Sequence, residues 1–236
     1  MTLPSWEDPR VRQGLPRQFS LRHGLLESGA TAVGWKVGFG APASLELMRI
    51  SAPLLGFLTG ATLIESGSRV DTAGWERGIV EFEVAVYLGK DLGAGATNAE
   101  AHAAICGVGA AIELANIDLP VDSAQVTEIV AGNIFHKAVV LGEPDTSRSG
   151  LDITGLTAHI AVDGLEMAVT SDLEALTGAY PWIVSTVADT LAASGLLLRE
   201  GDAIITGSVI APIPVGAGAE FTFVLDPLEP LSVTVG

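Results

Sequence analysis

The 236-residue chain holds a single cysteine, Cys106, and only twelve lysines and arginines. Each scarcity excludes something. A lone cysteine in an Ala/Gly-rich apolar stretch forms no intrachain disulfide; it reads as a small buried hydrophobe and agrees with a reducing compartment. Twelve basic against twenty-eight acidic residues leave a formal charge of -16, which repels phosphate backbones and anionic membranes, so nucleic acid and membranes are not expected partners. No uninterrupted apolar run is long enough to span a bilayer, and no basic segment followed by an apolar one opens the chain; the expectation is a soluble, cytoplasmic protein. No Gly-x-Ser-x-Gly elbow surrounds Ser208 or another serine, which disfavours covalent hydrolysis. Gly38-Phe39-Gly40 lacks the third glycine and the downstream acid of a dinucleotide fingerprint, which sets nicotinamide chemistry aside.

What is present centres on three carboxylates. In the strand-like run Ile79-Val80-Glu81-Phe82-Glu83-Val84-Ala85-Val86-Tyr87-Leu88, alternation puts Ile79, Glu81, Glu83 and Ala85 on one face and Val80, Phe82, Val84, Val86 and Leu88 on the other. Two acids at i and i+2 stand roughly 6.5 Å apart and repel, so they are either solvated or held by a cation. Glu113 favours the cation, because it sits within Ala110-Ala111-Ile112-Glu113-Leu114-Ala115, where a lone charge is costly to bury. Oxygen ligands of this kind suit Mg²⁺ or Mn²⁺ and leave positions free for a chelating substrate. Lys36, embedded in Ala32-Val33-Gly34-Trp35-Lys36-Val37-Gly38, is the strongest basic candidate, since its apolar flanks argue against a snorkelling surface lysine.

Hydrophobic residues at 48% can fill a core, and charged residues at 17% are too few for a disordered chain. The 28 glycines and 12 prolines are spread between short apolar runs rather than gathered in a linker, which predicts many strands and tight turns in one domain over 17–236, preceded by an aperiodic extension over 1–16. Helices are expected over 17–29, 43–49 and 181–193, and from residue 98 to about Gly109, with the Glu113 strand following. Strands are expected over 31–39, 79–88, 137–141, 203–207, 220–225 and 231–235. Asp163-Gly164 between 156–162 and 165–170 is the strongest hairpin signal. Residues 119–135 show no clear period.

Four ordered stretches, Gly34-Trp35-Lys36-Val37-Gly38, Glu81-x-Glu83 followed by Leu88-Gly89-Lys90-Asp91-Leu92, Ala111-Ile112-Glu113, and Gly201-Asp202-Ala203-Ile204-Ile205-Thr206-Gly207-Ser208, resemble the hydratase/decarboxylase branch of the fumarylacetoacetate hydrolase superfamily. The resemblance implies an α+β fold, a mixed β-roll or sandwich with flanking helices, usually as a homo-oligomer. It further implies Mg²⁺ or Mn²⁺ on Glu81, Glu83 and Glu113, acting as a Lewis acid on small 2-oxo acids and their enols, with Lys36 near the substrate.

Departures from the family pattern bear on the reaction. Leu54 in Pro53-Leu54-Leu55-Gly56-Phe57-Leu58 stands where the hydratases place an Asp. Ala131-Gly132-Asn133-Ile134-Phe135 replaces their Ala-Asp-Asn-x-Ser, and Asp118 stands in place of an Arg. His136, beside the altered segment and able to titrate near neutral pH, is the candidate substitute acid/base group; His23, His102 and His159 carry no functional expectation. The expectation is thus a metal-dependent lyase resembling a 2-keto-4-pentenoate hydratase, with Lys36 and His136 catalytic. The alternatives are a decarboxylase of an oxalocrotonate- or oxaloacetate-like acid, an acylpyruvate carbon–carbon hydrolase, or a metabolite-binding protein without turnover.

Overall fold

The computed structural model describes residues 4–236. Helix α1 (Pro9–Glu27) starts where the Asp8 side chain accepts from the Arg10 N–H, with Pro9 in the first turn. It therefore begins well before the expected residue 17, and Pro16 lies inside it. The reason is packing: Val11 and Leu15, one turn apart, are buried against Val126, Ile129 and Val130 of α4 (Val126–Ala131), and that tertiary contact holds the helix through the proline.

Among the described residues two sheets form. The larger runs β2 (Leu54–Thr59), β1 (Ala32–Gly38), β9 (Ala203–Ser208), β4 (Gly78–Leu88), β5 (Ile105–Asn116) and β6 (His136–Leu141), with the short β10 (Ile213–Pro214) also pairing with β4. The smaller runs β3 (Ser68–Val70), β12 (Leu231–Val235), β11 (Glu220–Asp226), β7 (Thr157–Val162) and β8 (Leu165–Thr170). Helices α2 (Pro42–Met48), α3 (Asn98–Ala104) and α5 (Tyr180–Ala193) complete the chain. This is the mixed roll/sandwich with flanking helices expected of an α+β fold.

The apolar face of β4 makes the contact between sheets. Val80, Phe82, Val84, Val86 and Leu88 are all buried, and the Phe82 ring lies 6.4 Å from Phe221 and 5.6 Å from Phe223 of β11. Burying a ring of this size contributes about 1.5–3 kcal/mol. The opposite face of β4, carrying Glu81 and Glu83, is turned away from that core into the curl of the larger sheet.

One expected boundary is corrected. The Ala-rich helix ends at Ala104 rather than near Gly109, because Ile105–Gly109 continue the β4 ladder, with Gly107 opposite Tyr87 and Val108 opposite Val86. The helix itself is closed at its start by a reciprocal Thr97–Glu100 capping box.

Candidate metal centre and its cavity

Register brings the carboxylates together. In the antiparallel β4–β5 pair Glu81 stands directly opposite Glu113, and Glu83 opposite Ala111. Two like charges in that position repel, yet one oxygen from each of Glu81, Glu83 and Glu113 lies within 4.8 Å of the others. Glu83 and Glu113 are fully buried, while Glu81 is half-buried.

Lys36 reaches the cluster from β1, its Nζ donating to Glu113 Oε1 at 2.5 Å and to the Ile134 carbonyl at 3.3 Å. The lysine stem lies over Gly56, where a Cβ would come within 2.7 Å of Lys36 Cγ; only glycine leaves that path open. The Gly-Trp-Lys and Gly-Asp stretches are joined by parallel β1–β9 pairing and by a 3.0 Å bond from Trp35 Nε1 to Asp202. Gly207, at φ +96°, donates its N–H to Glu83 Oε2 at 2.5 Å.

Two oxygens in this cluster have no donor. Glu83 Oε1 and Glu113 Oε2 are buried without a hydrogen-bond partner, a costly condition that a cation among the three carboxylates relieves. An all-oxygen donor set of this charge fits a hard divalent ion such as Mg²⁺ or Mn²⁺. The electrostatics agree. Burial, then the charge of Glu113, pushes the Glu81 carboxyl up to about 7 against the opposing pull of Lys36. Burial, then Glu113 and Glu81, holds Glu83 well above the usual carboxylate range. Burial would raise Glu113 too, but Lys36 and His136 outweigh it and leave its carboxyl below the ordinary value. Burial disfavours the Lys36 ammonium, yet Glu113 and Glu81 more than compensate and raise it. These directions favour the charged forms of Lys36 and Glu113 and push Glu81 and Glu83 toward their protonated forms.

His136 reaches the cluster through Glu113, at the same oxygen that accepts from Lys36. Its Nδ1 donates to Glu113 Oε1 at 2.7 Å, and its Nε2 lies 2.9 Å from Thr62 Oγ1. Thr62 carried no sequence signal. The segment before His136 is unusual: Asn133, Ile134 and Phe135 have φ of 62°, 52° and 63° in succession, a left-handed run that side chains rarely adopt. Asn133 secures it, since Oδ1 accepts from the Phe57 N–H at 2.7 Å and Nδ2 donates to the Phe57 carbonyl at 3.0 Å. Phe135 and Leu54, at the positions where the resemblance expects a Ser and an Asp, are both buried in the same apolar cluster.

A cavity of about 90 Å³ opens on Glu81, lined by β1, the start of α2, the 176–177 turn and the end of β9. Neither Lys36 nor His136 lines it.

The fumarylacetoacetate (FAA) hydrolase C-terminal family model matches residues 37–235, and the chain belongs to that family. It is 27% identical over 209 residues to 2-hydroxyhexa-2,4-dienoate hydratase of Comamonas testosteroni, covering 87% of this chain and 79% of the relative. It is 29% identical over 203 residues to a 4-oxalocrotonate decarboxylase from a Pseudomonas species, covering 85% and 75%. Among solved structures, 4-oxalocrotonate decarboxylase from Pseudomonas putida G7, complexed with magnesium and adipate, superposes with a TM-score of 0.82 at 23% identity, over 93% of this chain and 83% of that one. No helix among the described residues is long and apolar enough to cross a membrane.

Proposed function

We propose that the protein is a divalent-metal-dependent lyase acting on a small 2-oxo acid or its enol, in the manner of a 2-keto-4-pentenoate hydratase. The observation that carries this reading is the cluster of Glu81, Glu83 and Glu113, in which two oxygens are buried without a donor and Glu81 lines a small cavity. These three side chains would hold Mg²⁺ or Mn²⁺. Such an ion supplies Lewis-acid stabilisation of the negative charge that develops on the oxygen of a 2-oxo acid.

The remaining roles belong to the chain's own groups. Lys36 keeps a proton and a positive charge at Nζ inside the cluster, compensating Glu113 and orienting an anionic substrate. His136, linked to Thr62, acts through Glu113 by holding its Oε1, so that Oε2 faces the cluster. The unit is one catalytic domain, with residues 9–16 supplying the first part of α1. A cytoplasmic location accords with the lone cysteine. A homo-oligomer accords with the outward row of Leu165, Met167 and Val169 on edge strand β8, which are 71%, 59% and 48% exposed.

A second reading, decarboxylation, has in its favour the 29% identity to a decarboxylase. Product analysis separates the possibilities: a water adduct marks the hydratase, CO₂ the decarboxylase, and a new carboxylic acid fragment the hydrolase.

Calorimetric titration with oxalate, an enolpyruvate mimic, tests the site itself. Binding that requires Mg²⁺ or Mn²⁺ and is lost in Glu81→Ala is expected. Failure of the unsubstituted protein to bind oxalate with either ion would overturn the reading. Intact binding with no turnover on any 2-oxo acid would leave a metabolite-binding protein.

A further inference from the structure

Three of the four hydroxyl side chains that line the cavity beside Glu81 have committed their protons to the backbone. Thr206 Oγ1 donates to the Val84 carbonyl at 2.9 Å, Thr177 Oγ1 to the Gly178 carbonyl at 3.1 Å, and Ser208 Oγ to the Phe82 carbonyl at 3.4 Å. Each can still accept a hydrogen bond but has none left to give, since a hydroxyl carries one donor and two lone pairs. Ser44 is the fourth, half-buried, and its hydroxyl has no hydrogen-bond partner among the described residues.

The period of α2 turns Ser44 inward. Ala41 and Ser44, three residues apart, both line the cavity, and Leu45 and Met48 on the same side pack into the apolar cluster that holds Leu54 and Ile134. Pro42, Ala43, Glu46 and Leu47 are the exposed residues of this helix. Its far end is pinned. Arg10 donates to the Met48 carbonyl at 3.1 Å and to the Arg49 carbonyl at 2.8 Å while gripping both oxygens of Asp8. Ser44 therefore stands on a fixed element, where little freedom remains to be lost on binding.

No other lining side chain has a hydroxyl or amine proton to offer a ligand. The rest are glycine or apolar, apart from Glu81, whose oxygens belong to the carboxylate cluster. Lys36 is not part of the lining and is engaged with Glu113 and the Ile134 carbonyl. With a 2-oxo acid anchored at the carboxylates, the atoms that meet Ser44 are those further along its chain. A free hydroxyl both donates and accepts, and a second hydroxyl satisfies both capacities.

We propose that Ser44 is a specificity-determining residue whose Oγ hydrogen-bonds a hydroxyl carried by the substrate chain beyond the 2-oxo group. The inference rests on the reading that the carboxylate cluster anchors the 2-oxo acid end. It supplies a protic contact in a chain whose Leu54 and Phe135 put carbon at the positions where the resemblance expects an Asp and a Ser.

The experiment titrates the Mg²⁺-loaded protein with oxalate, 2-oxopentanoate and 4-hydroxy-2-oxopentanoate, the last two differing by one hydroxyl. The unsubstituted protein is expected to bind the hydroxylated acid about 3- to 10-fold more tightly. Ser44→Ala is expected to abolish that preference while oxalate affinity stays within about twofold, and Ser44→Thr, which keeps the hydroxyl, is expected to retain part of it. Equal binding of the two acids by the unsubstituted protein, or a preference that survives Ser44→Ala, with oxalate still bound, would overturn the assignment of Ser44 alone. Oxalate binding weakened by Ser44→Ala would place Ser44 at the metal end and overturn it as well. Failure of the unsubstituted protein to bind oxalate would instead overturn the anchoring site beneath it.

Discussion

Lys36 Nζ donates to Glu113 Oε1 at 2.5 Å although β9 and β4 lie between their strands. With strands spaced about 4.8 Å apart, β1 and β5 would stand about 14 Å apart on a flat sheet, so the contact records how tightly the larger sheet curls around its acidic face. Lys36→Met leaves Glu113 buried opposite Glu81 without its cation. The metal-free variant is expected to lose about 3 kcal/mol or more in urea denaturation, and turnover is expected to fall about 10²-fold or more. Lys36→Arg is not expected to rescue either property, since the planar guanidinium is not a substitute for a compact ammonium in a channel shaped by Gly56 and Asn133. Unchanged stability in both variants would show that the pair contributes nothing.

Glu81 gives the protein a pH dependence of a particular sign. Its carboxyl stands at about 7 in the fold, mainly through burial, against 4.5 in a solvated chain. Its contribution to the stability of the metal-free protein is therefore fully present below about 4.5 and is lost as pH rises through about 7. A cation competes for the same oxygens and displaces the proton, so Mg²⁺ affinity is expected to rise by at least about tenfold between pH 6 and pH 8, and by more where the raised Glu83 carboxyl also gives up a proton. Calorimetry in buffers of different ionisation enthalpy reads both the affinity and the proton released. A Kd flat across that interval would refute the protonated Glu81.

Thr62 and His136 are expected to act on metal affinity rather than on substrate. Thr62→Val removes the oxygen 2.9 Å from His136 Nε2, and His136→Gln removes the 2.7 Å bond to Glu113. Each should weaken Mg²⁺ binding about 10- to 100-fold. The ratio of affinities for two 2-oxo acids should remain as it was. A changed ratio with intact metal affinity would instead place His136 against the substrate.

Asn133 combines a left-handed backbone with two bonds to Phe57. Asn133→Ala should cost about 2–4 kcal/mol, from two lost buried hydrogen bonds and the φ penalty on alanine. Asn133→Gly loses the same bonds but accepts the conformation, so it should be the milder of the two by chemical denaturation. Equal losses would mean that the backbone conformation carries no cost here.

Much of the site was legible because strand alternation is a short-range signal. Ile79–Leu88 divides its faces as the period of two requires, and Glu113 announced itself as a charge in an apolar stretch. The Asp163-Gly164 hairpin is likewise local, with Leu165 pairing to Val162. What failed was decided at a distance. Ala-rich sequence suggested helix as far as Gly109, but the ladder to β4 claims Ile105 onward. Pro16 disguised the first half of α1, which packing against α4 sustains. His136 is expected from the sequence as the substitute acid/base group, whereas its bond to Glu113 depends on β5–β6 register and its bond to Thr62 joins residues 74 apart in the chain. Phe39, Leu176 and Ile210 line one cavity from three separate turns, an association with no sequence period to reveal it.

That division between strands and turns has an evolutionary reading. The acids stand on β4 and β5, and a one-residue slip of β4 would exchange Glu81 and Glu83 for Val80, Phe82 and Val84, losing the ion site and the core together. Phe39, Leu176 and Ile210 of the cavity wall stand outside every strand and belong to neither ladder. Such a scaffold can diversify its substrates by drift at a few peripheral positions while its inorganic chemistry stays under purifying constraint.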